Sequence, residues 1–227
     1  MTSIWQTEWN QASGNCTRAY ADWAWVHRDI RGFLALGTQW MGDRFEQVER
    51  EVRERPAYDG GPDLEEAFLA ETNDVWPADY LWMQRAAALR DGVTAFEVYH
   101  EQAGLDLLRH RGKEWPGLRP GNDPNWRNIS TLYSNEAGID VNSARIQHIR
   151  KIRHLLTHQR GQLRTAALRS RFGTGEGAVF SSDIVALDGD SLLQMLNDLG
   201  QHIRKVDEDI LRLTVVRRAR KGSSVGE

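Results

Sequence analysis

WPADYLWMQRAAALRDGVTAFEVYHEQAGLDLLRHRG, residues 76–112, has the spacing of one long helix. Pro77 suits the first turn because its missing N–H has no partner there, and Gly112 suits the exit. Leu81, Ala88, Phe96, Tyr99, Ala103 and Leu107 share a face, so other helices must cover it. The same period recurs on both sides. From about Thr17 to Arg55 the pattern of Trp23, Val26, Ile30, Phe33, Leu34, Trp40, Phe45 and Val48 reads as helix, with Gly32, Gly37 and Gly42 as interruptions, so the first half is expected to hold two or three helices. RPAYDGGPD breaks the run, and Asp63 is placed to cap LEEAFLAE.

Downstream, KEWPGLRPGNDPNW is a loop, NISTLYSNEAG a short helix, and Asn142 or Ser143 the cap of a basic helix. QLRTAALRSRF resumes the helical pattern after Gly161, which either ends or bends the basic helix. AVFSSDIVAL, residues 178–187, alternates enough for one short extended segment. Asp190 or Ser191 is expected to cap LLQMLNDLGQHIRKVDEDILRL, and the basic tail RRARKGSSVGE to fray. The fold class is therefore all-α. The tryptophans, all of them before residue 127, read as core packing rather than base stacking.

A single cysteine, Cys16, excludes an internal disulfide framework and a cysteine zinc cluster. MTSIWQTEWN lacks the basic start and apolar run of a secretion signal, and no window is apolar enough for a membrane span, so a cytoplasmic location with no membrane partner is expected. The net charge of −3 hides a regional asymmetry: residues 1–140 carry 14 Lys/Arg against 23 Asp/Glu, residues 141–227 carry 15 against 9. Between Ala144 and Arg171 there are eight Lys/Arg and no acidic residue. Such a field draws in an anion whatever the overall charge.

At its centre lies KIRHLLTHQR, residues 151–160. Projected on a helix, Ile146, Ile149, Ile152, Leu156 and Leu163 form the core side, while Arg150, Arg153, His154, Thr157 and His158 fall in the opposite sector. Arg offers a planar fork of donors to phosphate oxygens, and histidine exchanges a proton near neutral pH. If Gly161 ends the helix, His158 sits in its last turn, where the dipole favours a cation. These groups suit RNA cleavage by the neighbouring 2′-hydroxyl, with one group taking its proton, one protonating the leaving oxygen, and a cation stabilising the added charge; no metal or other cofactor is required. DNA lacks that hydroxyl. His154 and His158 have the spacing of a helical zinc pair, but HLLTH lacks the internal glutamate of the zinc-protease pattern and no third ligand is evident. Glu97 and Glu101 are placed either to orient an imidazole or to pair with the arginines.

The residues RHLLTH, Arg153 to His158, resemble the signature of the HEPN superfamily. NWRNISTLYSNEAGIDVNSARIQHIRKIRHLLTHQRG is similar to the run-in to that signature, AFEVYHEQAGLDLL to the long helix before it, and SSDIVALDGDSLLQMLNDLGQHIRKVDEDI to the extended piece and final helix. The likeness covers residues 77–213, with an additional N-terminal helical region over 1–76 packed on the core and a flexible basic tail over 214–227. It implies a HEPN-type helical bundle with Arg153 and His158 as the catalytic pair. His154 would accompany them, with Thr157, Arg150 and Arg160 binding the phosphate. It also implies a homodimer with one composite site, RNA as substrate, and a toxin or phage-defence role with an antitoxin or defence-system protein as a further partner. Some family members are non-catalytic, so the alternative is a helical dimer that binds a protein or nucleic acid without turnover.

Overall fold

The computed structural model describes residues 16–54, 64–71, 75–115, 123–173 and 183–222. Its elements are α1 (Arg18–Glu54), α2 (Leu64–Glu71), α3 (Pro77–Arg111), α4 (Trp126–Ala137), α5 (Ala144–Gln159), α6 (Ala166–Phe172) and α7 (Gly189–Gly222). The fold is all-α. Among the described residues the only β pairing is a single antiparallel bridge between Gln162 and Ile184, which leaves the expected extended segment as a brief contact; residues 178–182 lie outside the described part. No helix of the described residues is long and apolar enough to cross a membrane.

The cap chemistry is local. Asn125 and Asn128 form a reciprocal capping box at the start of α4, and Gly138 closes that helix in the left-handed region. Ser143, not Asn142, faces the first turn of α5, its hydroxyl accepting from the Ile146 N–H, because the Asn142 side chain is taken by the Trp126 indole N–H at 2.9 Å. The last helix is capped by Asp188 rather than Asp190 or Ser191: its carboxylate accepts from the Ser191 N–H at 2.8 Å, and this bonding holds its carboxyl below the usual range. α7 also continues to Gly222, beyond Leu213, since Val-Val-Arg-Arg-Ala-Arg-Lys contains good helix formers and no breaker.

The glycines of α1 do not interrupt it. At Gly37 the missing Cβ admits the Gln84 side chain, whose amide N–H donates to the carbonyls of Phe33 at 2.8 Å and Leu34 at 3.3 Å. A glycine that costs helix stability locally is thus offset by a close helix crossing. The buried face of α1 is Ala19, Tyr20, Trp23, Ile30, Leu34, Met41 and Val48, while Val26, Phe33 and Trp40 are exposed against expectation. Among the described residues this helix carries two apolar stripes, one buried and one largely exposed.

Two compact units result, each drawn from distant stretches: one from Met1–Asp29, Asp91–Lys151 and Gln194–Glu227, the other from Ile30–Arg90 and Ile152–Leu193. In the first, Phe96, Tyr99, Ala103 and Leu107 of α3, Ile129, Leu132 and Tyr133 of α4, Ile146 and Ile149 of α5, and Leu196, Leu199 and Ile203 of α7 are all buried. In the second, Leu89, Ile152, Leu155, Leu156, Leu163, Val185 and Leu187 are buried. Each such side chain contributes about 1.5–3 kcal/mol on leaving water.

The candidate site on the basic helix

α5 is basic on one side because its other side is fully committed: Ile146, Ile149, Ile152, Leu155 and Leu156 are all buried. His154, Thr157, His158 and Arg160 are exposed and Arg153 is half-buried. The His154 and His158 rings lie side by side, 4.6 Å between centroids, as i and i+4 on a helix require. Arg153, His154, Thr157, His158 and Arg160 belong to the second unit, whereas Arg150 belongs to the first.

Arg150 has its own partners. Its Nε donates to the Glu97 carboxylate at 2.8 Å, an Nη lies 2.7 Å from the same oxygen, and the guanidinium stacks over the Trp126 ring at 4.3 Å. The expectation that Glu97 pairs with an arginine is met. Other cations of the basic stretch are also paired, Arg145 with Asp198 at 2.6 Å and Arg169 with Asp183 at 3.5 Å. Among the described residues Lys151, Arg160, Arg164 and Arg171 make no ion pair, and two of them, Arg160 and Arg164, follow His158 within six residues.

That end is a built turn. Gln159 is the last helical residue, and Arg160 (φ 51°) and Gly161 (φ 77°) both take the left-handed conformation. Gly161 N–H donates to Leu155 O at 3.0 Å, closing the helix, and Gly161 O accepts from Val185 N–H at 2.9 Å. Trp82 completes the seat: its indole N–H donates to Val185 O at 2.9 Å, and its ring lies against Gly161, where a Cβ would come within 2.7 Å of Cζ2. The sequence left Gly161 open between a bend and a stop. The structure makes it a stop, with His158 in the last turn. Trp82 is the residue that sequence reading missed here, and no local signal near residue 161 could point to it.

The turn therefore gives a test of how the site is held. Gly161→Ala is expected to cost about 3 kcal/mol, combining a left-handed alanine at about 1–2 kcal/mol with a clash against a ring that cannot swing away. Arg160→Gly, which needs no such conformation change, is expected to lie within about 1 kcal/mol of the wild type. Urea midpoints of the two variants check this, and equal midpoints would show that Trp82 does not fix the turn.

Among the described residues no group of three His, Cys, Asp or Glu side chains is placed to hold a metal ion. The chain matches no protein-family model, no curated protein and no solved structure.

Proposed function

We propose that the chain is an endoribonuclease of HEPN type, cutting single-stranded RNA by attack of the 2′-hydroxyl on the adjacent phosphorus without a metal ion. The observation that supports the reading best is the end of α5, where exposed His154, Thr157, His158 and Arg160 surround half-buried Arg153 on a rigid apolar base. In this reaction His158 moves the proton to or from the reacting oxygens, and Arg153 stabilises the charge that builds on the phosphorane. His154, Thr157 and Arg160 hold the non-bridging oxygens. Arg150, paired with Glu97, supplies field rather than a free fork of donors. One guanidinium with one imidazole pair is a sparse catalytic set, and a homodimer that brings two copies of α5 together would supply separate acid and base. A toxin or defence role, with an antitoxin or defence-system protein as partner, belongs to the same proposal.

The experiment is incubation of the purified chain with labelled single-stranded RNA and matched DNA in excess EDTA. RNA fragments ending in a cyclic phosphate, with DNA intact, are the expected result. No cleavage over a broad set of RNAs, or cleavage that vanishes with EDTA, would overturn the proposal and favour the non-catalytic binding module.

A further inference from the structure

Two imidazoles in the first unit bond to nothing around them. His100 of α3 is fully buried, and among the described residues neither of its ring nitrogens has a hydrogen-bond partner; the buried Nε2 of His202, on α7, has none either. The two ring centres lie 5.5 Å apart. The neighbouring hydroxyls are engaged elsewhere: that of Tyr133 donates to the His100 carbonyl at 3.0 Å, and that of Tyr99 to the Asp207 carboxylate at 3.2 Å. A buried polar group left without a partner destabilises the fold, and two on adjacent rings call for a ligand that both can serve.

We infer that His100 and His202 together bind one monovalent soft cation, Cu(I), as two nitrogen ligands on opposite sides of the ion. Three features select this class. First, a metal takes imidazole by the bare lone pair of its neutral form, and burial keeps both rings neutral at pH 7. Both nitrogens of His100 are unengaged, so either can turn to the ion while the other keeps the proton.

Second, the site offers two ligands: among the described residues no third His, Cys, Asp or Glu is placed to join them. Zinc and other divalent ions take four or more, whereas the filled d-shell of Cu(I) is satisfied by two donors in a line. Third, the surroundings suit a single charge. The rings of Phe96, Tyr99, Trp126 and Tyr133 lie 4.5 to 5.5 Å from that of His100 and can face a cation, while the Asp140 carboxylate acts favourably on positive charge at His202, against Lys205. Desolvation grows with the square of the charge, so a divalent ion would cost about four times as much here. With metal–nitrogen bonds of about 2 Å, a straight arrangement sets the ring centres about 6 Å apart, so the 5.5 Å spacing has to widen by about half an ångström. His202 is partly exposed, which gives the ion its way in. The site uses neither Arg153 nor His158, and it stands whether or not the chain cuts RNA.

Anaerobic titration of the chelator-treated full chain, with Cu(I) supplied from a coloured chelator and Cys16→Ser as the parent so that no thiol competes, tests it. The parent is expected to take one equivalent, to melt about 5 °C or more higher with free Cu(I) a hundredfold above its dissociation constant, and to show two nitrogen neighbours by X-ray absorption. His100→Phe and His202→Phe should each lose the equivalent and the shift, while His154→Ala, which breaks the other histidine pair, should keep both. Zinc should give no comparable shift. A parent that takes no stoichiometric Cu(I), binding that survives both His100→Phe and His202→Phe, loss of binding in His154→Ala, or an equal shift with zinc would each overturn the inference.

Discussion

RNA cleavage by His158→Ala is expected to fall about 10²- to 10⁴-fold, the usual contribution of a positioned acid or base. His158 is exposed, so the variant should keep the wild-type circular dichroism and urea midpoint. Arg153→Ala is expected to lose about 10²- to 10³-fold through the uncompensated phosphorane charge. Arg153 is half-buried, which makes Arg153→Lys the cleaner probe: it keeps the charge and stem while losing the planar fork. Arg150→Ala should behave differently. It breaks the pair with Glu97 and the stack on Trp126, so its main effect should be on stability, with at most a modest change in cleavage. The decisive comparison is cleavage at matched fraction folded. If Arg150→Ala abolishes cleavage while His158→Ala leaves it untouched, the proposed roles on α5 are wrong.

The second large effect is on stability. Acidification from pH 7 to pH 4 is expected to cost the fold about 3 kcal/mol, through two histidines outside the candidate site on α5. His100 is fully buried, with no hydrogen-bond partner at either ring nitrogen among the described residues, and its centroid lies 5.5 Å from that of His202, whose Nε2 is likewise unpartnered. Phe96 and Tyr99 of α3, Trp126 and Tyr133 of α4, and His202 of α7 enclose the His100 ring. Burial pushes the His100 imidazolium well below its ordinary range, and His202 adds to that; burial pushes His202 down to about 4 from an ordinary 6.5, with Asp140 opposing and Lys205 assisting.

Both native-state values lie below those of the unfolded chain, so below pH 6.5 the unfolded state takes up protons that the native state refuses. Stability therefore falls as the pH drops from 6.5 towards 4. For His202 alone the difference is worth about 3 kcal/mol at the lower end. Asp207 works in the opposite sense: burial raises its carboxyl, while bonds from the Thr17 N–H and hydroxyl and the Tyr99 hydroxyl pull it back. Its charged form is penalised at high pH, and that penalty eases as the pH falls. Urea denaturation at the two pH values measures the sum. His100→Phe, which swaps an unpaired polar ring for an apolar one of similar size, is expected to match or exceed the wild-type stability at pH 7 and to widen its advantage at pH 4. A wild type equally stable at both pH values, or a variant weaker at both, would show that His100 finds a partner in solution.

The histidines illustrate where sequence reading stops. His154 and His158 declare themselves because helical spacing places them on the polar side of a stretch without acidic residues. His100 occupies a position on α3 that spacing alone leaves undecided, since it becomes buried only when α4 and α7 close over it. His202 is similar. The Arg150–Glu97 pair was legible as one of two options, because both residues lie on helices whose apolar faces demand packing, yet which arginine Glu97 would take depends on how those helices cross. Trp82 and Gly161 are far apart in the chain, and only the pairing of residues 183–185 with 161–163 brings them together.

By itself the sequence determined the helical character of most segments, several of their ends, and the side of α5 that faces water. Those features depend on the periodicity of burial and on caps satisfied within a few residues, so each segment carries its own instructions. What tertiary structure decided is which stripe of α1 is covered, which cation keeps its donors and which histidines lose water. The reason is physical: covering a face, pairing a charge and desolvating a ring each depend on a second element, distant in the chain, whose arrival no local pattern encodes.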